Sequence, residues 1–90
     1  NIGSSILEKV QFTDSNLKEM RLVNNSIRNT TFNACNMSKL TLSDTRLRGV
    51  DLSTCDISGM IFKPFDVVGC QVSANQAVEM IKNFGVIVKF

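Results

Sequence analysis

Large apolar residues recur at every fifth position from Leu7: Leu7, Phe12, Leu17, Leu22, Ile27, Phe32, Met37, Leu42, Leu47, Leu52, Ile57 and Phe62. Val, Ile, Leu, Met and Phe make up about 37% of the chain, so twelve such residues in phase would arise by chance on the order of once in 10⁵. The residue after each centre is polar or charged except Val23, and the next is polar, Gly or Pro except Ala34. Neither a helical period of 3.6 nor a strand period of 2 produces this pattern. The stretch is therefore not a helix.

A second series lies two residues before each centre: Ser5, Val10, Ser15, Met20, Asn25, Thr30, Cys35, Leu40, Thr45, Val50, Cys55 and Met60. Residues i−2 and i share a face of an extended segment, so this series is also expected to point inward. Positions 10, 20, 40, 50 and 60 carry Val, Met, Leu, Val and Met, whereas 5, 15, 25, 35, 45 and 55 carry Ser, Ser, Asn, Cys, Thr and Cys. Alternate five-residue units thus sit in roomier and tighter settings.

Units such as Cys35-Asn36-Met37-Ser38-Lys39, Val50-Asp51-Leu52-Ser53-Thr54 and Cys55-Asp56-Ile57-Ser58-Gly59 resemble the pentapeptide repeat A(D/N)LXX over residues 5–63. The chain departs from that consensus in having no Ala at the first position of any unit. The resemblance implies an all-β solenoid, a right-handed quadrilateral β-helix of about three coils, with roughly twenty residues per coil. Residues twenty apart then stack, giving the ladders Leu7–Ile27–Leu47, Phe12–Phe32–Leu52, Leu17–Met37–Ile57 and Leu22–Leu42–Phe62. Such a core is filled with side chains and has no room for a ligand. Cys35 and Cys55 share an inward ladder at a spacing that permits a disulfide, but two small buried hydrophobes in a reducing compartment are the preferred reading.

The rhythm loosens after Phe62, which divides the single domain into a repeat region (1–63) and a C-terminal cap (64–90). Ser73-x-x-Gln76 reads as a capping box opening an α-helix over about 74–84. Ala77, Ile81 and Phe84 fall on one face of it, suited to cover the last coil, and Gly85 supplies a left-handed terminator. Val86-Ile87-Val88-Lys89-Phe90 is a short β-prone tail expected to pair with the solenoid edge or with a second copy of the chain. Pentapeptide-repeat proteins directed at topoisomerases commonly dimerise through this end, so the resemblance implies a homodimer built on Ala77, Ile81, Phe84, Val86 and Val88. The chain opens on Asn1 rather than Met, so either upstream coils precede it or Asn1–Ile6 folds over the first coil.

Composition narrows the chemistry. The ninety residues contain no His, Trp or Tyr and carry a net charge of +2. Without His, the commonest general base and metal ligand are missing. Three cysteines, Cys35, Cys55 and Cys70, include no CxxC pair, so neither a zinc site nor a disulfide framework is indicated. Asp44, Asp51, Asp56 and Asp66 are scattered over several faces, and no glycine-rich phosphate loop exists. No catalytic residue, metal or cofactor is expected. Asn16, Asn36 and Asp56 form a ladder suited to turn hydrogen bonds. No apolar run is long enough to span a membrane, and a cytoplasmic setting is expected.

Function must then lie on the outer faces. One face projects Arg28, Arg46 and Arg48, with Lys9 nearby, and is a candidate contact for an acidic surface. The leading reading is a non-catalytic protein-interaction module. The alternative is a DNA-mimicking regulator of DNA gyrase of the quinolone-resistance type, which the resemblance implies but the mildly basic charge opposes. That small charge also argues against nucleic-acid binding.

Overall fold

The computed structural model describes residues 2–3 and 6–89. Asn1 and Ser4 of the segment expected to close the first coil, Ser5 of the second inward series, and Phe90 of the tail lie outside the described residues. Seven strands are short: β1 (Ile2–Gly3), β2 (Ile6–Glu8), β3 (Gln11–Thr13), β4 (Arg21–Val23), β5 (Ser26–Arg28), β6 (Thr31–Asn33) and β7 (Thr41–Ser43). Every pairing is parallel and joins residues twenty apart: Leu7↔Ile27, Phe12↔Phe32 and Leu22↔Leu42 are partners. Isolated bridges Asn16↔Asn36 and Asn36↔Asp56 extend the same offset along a fourth ladder.

Each three-residue strand turns its centre inward and its neighbours out. Leu22, Phe32, Met37, Leu42, Leu47, Leu52 and Ile57 are buried, and Leu7, Phe12, Leu17, Ile27 and Phe62 pack against them while partly exposed. The rings of Phe12 and Phe32 stack at 5.2 Å, nearly parallel. Of the second series, Met20, Asn25, Thr30, Cys35, Leu40, Thr45, Val50, Cys55 and Met60 are buried as well.

The polar members of that series have a task that their size alone does not reveal. Thr30 Oγ1 donates to Leu7 O and Arg28 O, and Thr45 Oγ1 donates to Leu22 O and Ser43 O. Cys35 Sγ makes the corresponding contacts to Phe12 O and Asn33 O, and Cys55 Sγ reaches Phe32 O. Each hydroxyl or thiol thus satisfies carbonyls at a corner, one of them 23 residues earlier in the chain. Buried carbonyls without a donor would cost about 1–3 kcal/mol each. An Ala there could not supply the donor.

Turning a corner every five residues demands an unusual backbone, found at the residue two after each centre from Leu7 to Leu47. Lys9, Asp14, Glu19, Asn24, Asn29, Ala34, Lys39 and Asp44 all have φ between 49° and 62°, and Gly49 has +78°. Two corner types coexist. On the fourth ladder, Asn16, Asn36 and Asp56 accept the backbone N–H two residues on (3.2, 3.1 and 3.0 Å). This bond draws the chain into a hydrogen-bonded turn, closed by Met20 N–H to Leu17 O, Leu40 N–H to Met37 O and Met60 N–H to Ile57 O. The units of β2 to β6, with no Asn or Asp before the centre, stay extended, whereas that of Leu47, preceded by Arg46, is a turn.

Like corners stack well and unlike ones do not. The units centred on Leu47 and Leu52 are turns lying over the extended units of β5 and β6. At both places, among the described residues, no backbone–backbone hydrogen bond joins the two levels. Thr45 Oγ1 accepts Asn25 N–H instead, and Thr54 Oγ1 accepts Ala34 N–H, each at 3.1 Å.

Stacking persists beyond residue 63. Leu47 N–H donates to Asp66 O, Gly49 N–H to Gly69 O and Leu52 N–H to Gln71 O. A short 3₁₀ helix, Pro64–Val67, carries buried Asp66, whose carboxylate accepts Lys63 N–H at 3.1 Å. Helix α1 (Ala74–Lys82) then begins at Ser73 with the reciprocal Ser73–Gln76 capping box. It is shorter than the 74–84 read from the sequence, because Asn83, Phe84 and Gly85 donate to carbonyls three residues back and tighten the last turn.

The face of α1 that meets the stack differs from expectation. Gln76 Nε2 donates to Leu52 O (2.8 Å) and Cys55 O (2.7 Å), Asn83 Nδ2 reaches Met60 O, and Met80 packs between them against the core. Ala77, Ile81 and Phe84 are partly exposed along a groove against the stack, where Phe84 meets Phe62 edge-on at 5.7 Å. The last level of the stack presents unpaired carbonyls, and satisfying them selects the polar stripe of the helix over the apolar one.

Two substitution sets test this account. Leu42 is 4% exposed, so Leu42→Asp buries an unpaired charge and should abolish the cooperative thermal transition seen by circular dichroism. Thr41→Asp, one residue earlier and outward, should melt within a few degrees of the parent; about 0.5 kcal/mol is the usual range for such surface changes. A methyl at Gly49 would meet nothing within 4 Å, which isolates the backbone cost of φ +78°. Gly49→Ala should therefore lose about 1 kcal/mol in urea unfolding, and Ala34→Gly should lose none or gain up to about 1.

Candidate functional site

Two outward surfaces stand apart from the rest. The first is a recess of about 310 Å³ lined by Asn25, Ser26, Ile27, Arg28, Asp44, Arg46 and Arg48. It lies where the turn centred on Leu47 sits over extended β5, the level at which the backbone ladder opens. Arg46 and Arg48 flank buried Leu47 and both face solvent, as does Arg28 on the neighbouring level. The Arg46 guanidinium lies 4.0 Å from the centre of the Phe65 ring, which holds its plane while leaving its edge N–H groups open. A Cβ on Gly69 would come within 3.0 Å of Arg48 Cγ, so Gly69 makes room for the Arg48 stem.

Ion pairs among the described residues join Lys39 to Glu19 (3.9 Å) and Lys82 to Glu79 (3.3 Å), and none involves these three arginines. Arg28 is the register partner of Glu8 on its other side and lines the recess together with Arg48. Sequence reasoning missed Asp44, Phe65 and Gly69 as parts of this surface. The twenty-residue register, carried from Arg46 to Asp66 and from Arg48 to Val68, lands one residue from each of the last two.

The second surface is the C-terminal end. Among the described large apolar residues, Ile61 (62%), Phe65 (61%), Val68 (57%), Ile81 (41%), Phe84 (49%), Val86 (47%) and Ile87 (86%) are exposed, joined by Ile6 from the earlier part of the chain. A groove of about 290 Å³ runs between α1 and the stack, lined by Phe62, Pro64, Val67, Cys70, Val72, Ala77, Met80, Ile81 and Phe84. Val88 is half-buried.

Reactive chemistry is not gathered at either surface. Cys35, Cys55 and Cys70 are all free thiols. Burial pushes the Cys55 thiol above its ordinary pKa, and burial with the nearby Asp51 carboxylate pushes Cys70 up to about 11. Neither is a ready nucleophile. Among the described residues no group of three or more His, Cys, Asp or Glu side chains could hold a metal, and no helix is long and apolar enough to cross a membrane. The carboxylates act in turns. The Ser53 hydroxyl and backbone N–H lower the pKa of Asp51, and the Ser58 backbone N–H and hydroxyl lower that of Asp56.

The offset of twenty, the five-residue phase and the repeated corners together define a class of protein. A family model for the pentapeptide repeat region matches residues 5–80, and the chain belongs to the pentapeptide-repeat family. No curated protein matches it.

The depressed pKa values of Asp51 and Asp56 carry a sign. Their contribution to stability is complete above the ordinary value of 3.8 and is lost as pH falls through the lower folded-state values. An Asn in either place keeps the turn-forming Oδ1, as Asn16 and Asn36 do. Asp51→Asn/Asp56→Asn should therefore lose less stability than the parent between about pH 5 and pH 2, measured as denaturant midpoints across that range. An equal loss in both proteins would show that these bonds do not discriminate the charged form.

Proposed function

We propose that the four ladders close into a right-handed, four-sided coil, with residues 1–63 forming its body and 64–90 its cap. On this reading the chain is a non-catalytic interaction module whose C-terminal end associates with a second copy of itself. The observation that carries it is the concentration of exposed large apolar side chains between Ile61 and Ile87, against Ile6 alone among the other described residues. Isolated exposed apolar residues are ordinary, whereas a contiguous patch at one end of a molecule marks an association surface. Ala77, Ile81, Phe84 and Val86 supply the exposed part of it, and Val88 lies beside them. Gln76 and Asn83 fasten the helix to the stack by hydrogen bonds, Met80 packs on the core and Phe84 meets Phe62 edge-on, so the exposed part of the apolar stripe can meet a partner without loss of the polar fastening.

The filled interior supports the absence of catalysis: the centres and the residues two before them occupy it, and ligands are left with surface recesses alone. Three free thiols support a reducing, cytoplasmic setting.

Sedimentation equilibrium tests the association. The parent chain should behave as a dimer at tens of micromolar, and Ile81→Asp/Phe84→Asp should be monomeric with a thermal transition close to the parent's, since both side chains are already half exposed. A parent that stays monomeric at all accessible concentrations would remove the second copy as occupant of this surface.

A further inference from the structure

We infer that the recess bounded by Arg28, Arg46 and Arg48 is a reading site for an extended acidic peptide segment carrying two carboxylates on alternate residues. The inference rests on the interaction-module reading and names the partner of one face, distinct from the C-terminal end. Three observations lead to it. The arginines have no ion-pair partner among the described residues, although each guanidinium presents five donors. Two are braced by the neighbouring level, Arg46 on the Phe65 ring and Arg48 across Gly69, so less side-chain freedom is lost when they bind. And the ladder is open here, which turns an otherwise flat strand face into a concavity.

The spacing selects the ligand. Arg46 and Arg48 project on either side of inward Leu47, where the turn closed by Val50 N–H to Leu47 O begins. Carboxylates on residues n and n+2 of an extended peptide repeat at about 6.6 Å and stand on one face, a spacing that two long guanidinium stems set two residues apart can span. Arg28, on the adjacent level, reaches the second oxygen of a carboxylate held by Arg48. Asp44 lines the same recess two residues before Arg46. It repels a third carboxylate in line and favours a cation there. The order of charges along the recess, Asp44, Arg46, Arg48, is complemented by Lys-x-Glu-x-Glu. A duplex nucleic acid, with phosphates along its whole length, would meet Asp44 as an obstacle.

The test is a fluorescence-anisotropy titration of the full chain with three labelled peptides in a Gly/Ser background, containing Lys-x-Glu-x-Glu, its isomer Glu-x-Lys-x-Glu, or Glu-x-Glu-x-Glu. At about 50 mM salt, where surface charges are only partly screened, the first peptide should bind about tenfold tighter than its isomer. Arg46→Gln/Arg48→Gln should weaken it by at least about tenfold, the loss expected for charge-assisted bonds, while Arg21→Gln on another face should not. Asp44→Asn should raise affinity for Glu-x-Glu-x-Glu and narrow the preference for the lysine-bearing peptide. Thermal melts of each variant close to the parent's would show that the surface, not the fold, has changed. The inference is overturned if the two isomers bind alike, if the arginine variants bind as the parent does, or if a short DNA duplex binds more tightly than any peptide. Sedimentation of the same samples separates the two readings: absent peptide binding with dimers intact removes this inference alone.

Discussion

Backbone hydrogen bonds between residues one level apart govern the rest of the molecule. Donors reach carbonyls 19 residues ahead or 21 behind, as in Lys9 N–H to Arg28 O and Thr31 N–H to Val10 O. Such bonds form along the chain only if every level consumes the same number of residues. Four five-residue units meet that condition, and each unit must therefore turn its corner on time. The corner residues accept positive φ for this reason, even when they are Lys, Glu or Ala, which costs on the order of 1 kcal/mol at each. One inserted residue would shift every later centre out of the core.

That same constraint explains the single irregularity in the stack. The turns that Val50 N–H and Cys55 N–H close on Leu47 O and Leu52 O do not match the extended units of β5 and β6 below them. Backbone pairing lapses at both places and threonine hydroxyls stand in for carbonyls. On the first of these faces the lapse leaves the recess among the arginines. Fewer backbone bonds also make this level the easiest to open locally. Shape, local stability and charge at the recess thus trace to one change of corner type between the second and third levels.

Much of this was legible in the sequence, because the inward positions obey a strict phase: Leu7 to Phe62 all face the core, and Ser73 with Gln76 opens the helix as its capping box implies. The face on which α1 docks was not legible. An apolar stripe at 77, 81 and 84 reads as the buried side of an amphipathic helix, but the end of the stack offers carbonyls as well as the apolar groove of Phe62, Val67 and Val72. Gln76 completes the capping box with its oxygen and takes two of those carbonyls with its nitrogen. Nor could the periodicity reveal the hydroxyl and thiol bonds of Thr30, Thr45 and Cys35, since small size and donor capacity coincide in those residues. Phe65 and Gly69 escaped notice because they follow Phe62, where the repeat loosens while the register continues.

The separation of fold from function follows from which outward positions remain uncommitted. Inward residues serve the core, and the residue two after each centre serves the corner. On the fourth ladder the residue before the centre is also spent, since Asn16, Asn36 and Asp56 hold the turns. The face of β2 and β5 has no such obligation: Ser26 and Arg46 occupy the same position without a turn bond, and Arg28 and Arg48 follow their centres freely. Charge can accumulate there without loss of structure. At the other end, polar fastening of α1 releases its apolar stripe. The twenty-residue register makes no claim on the side chains at either place.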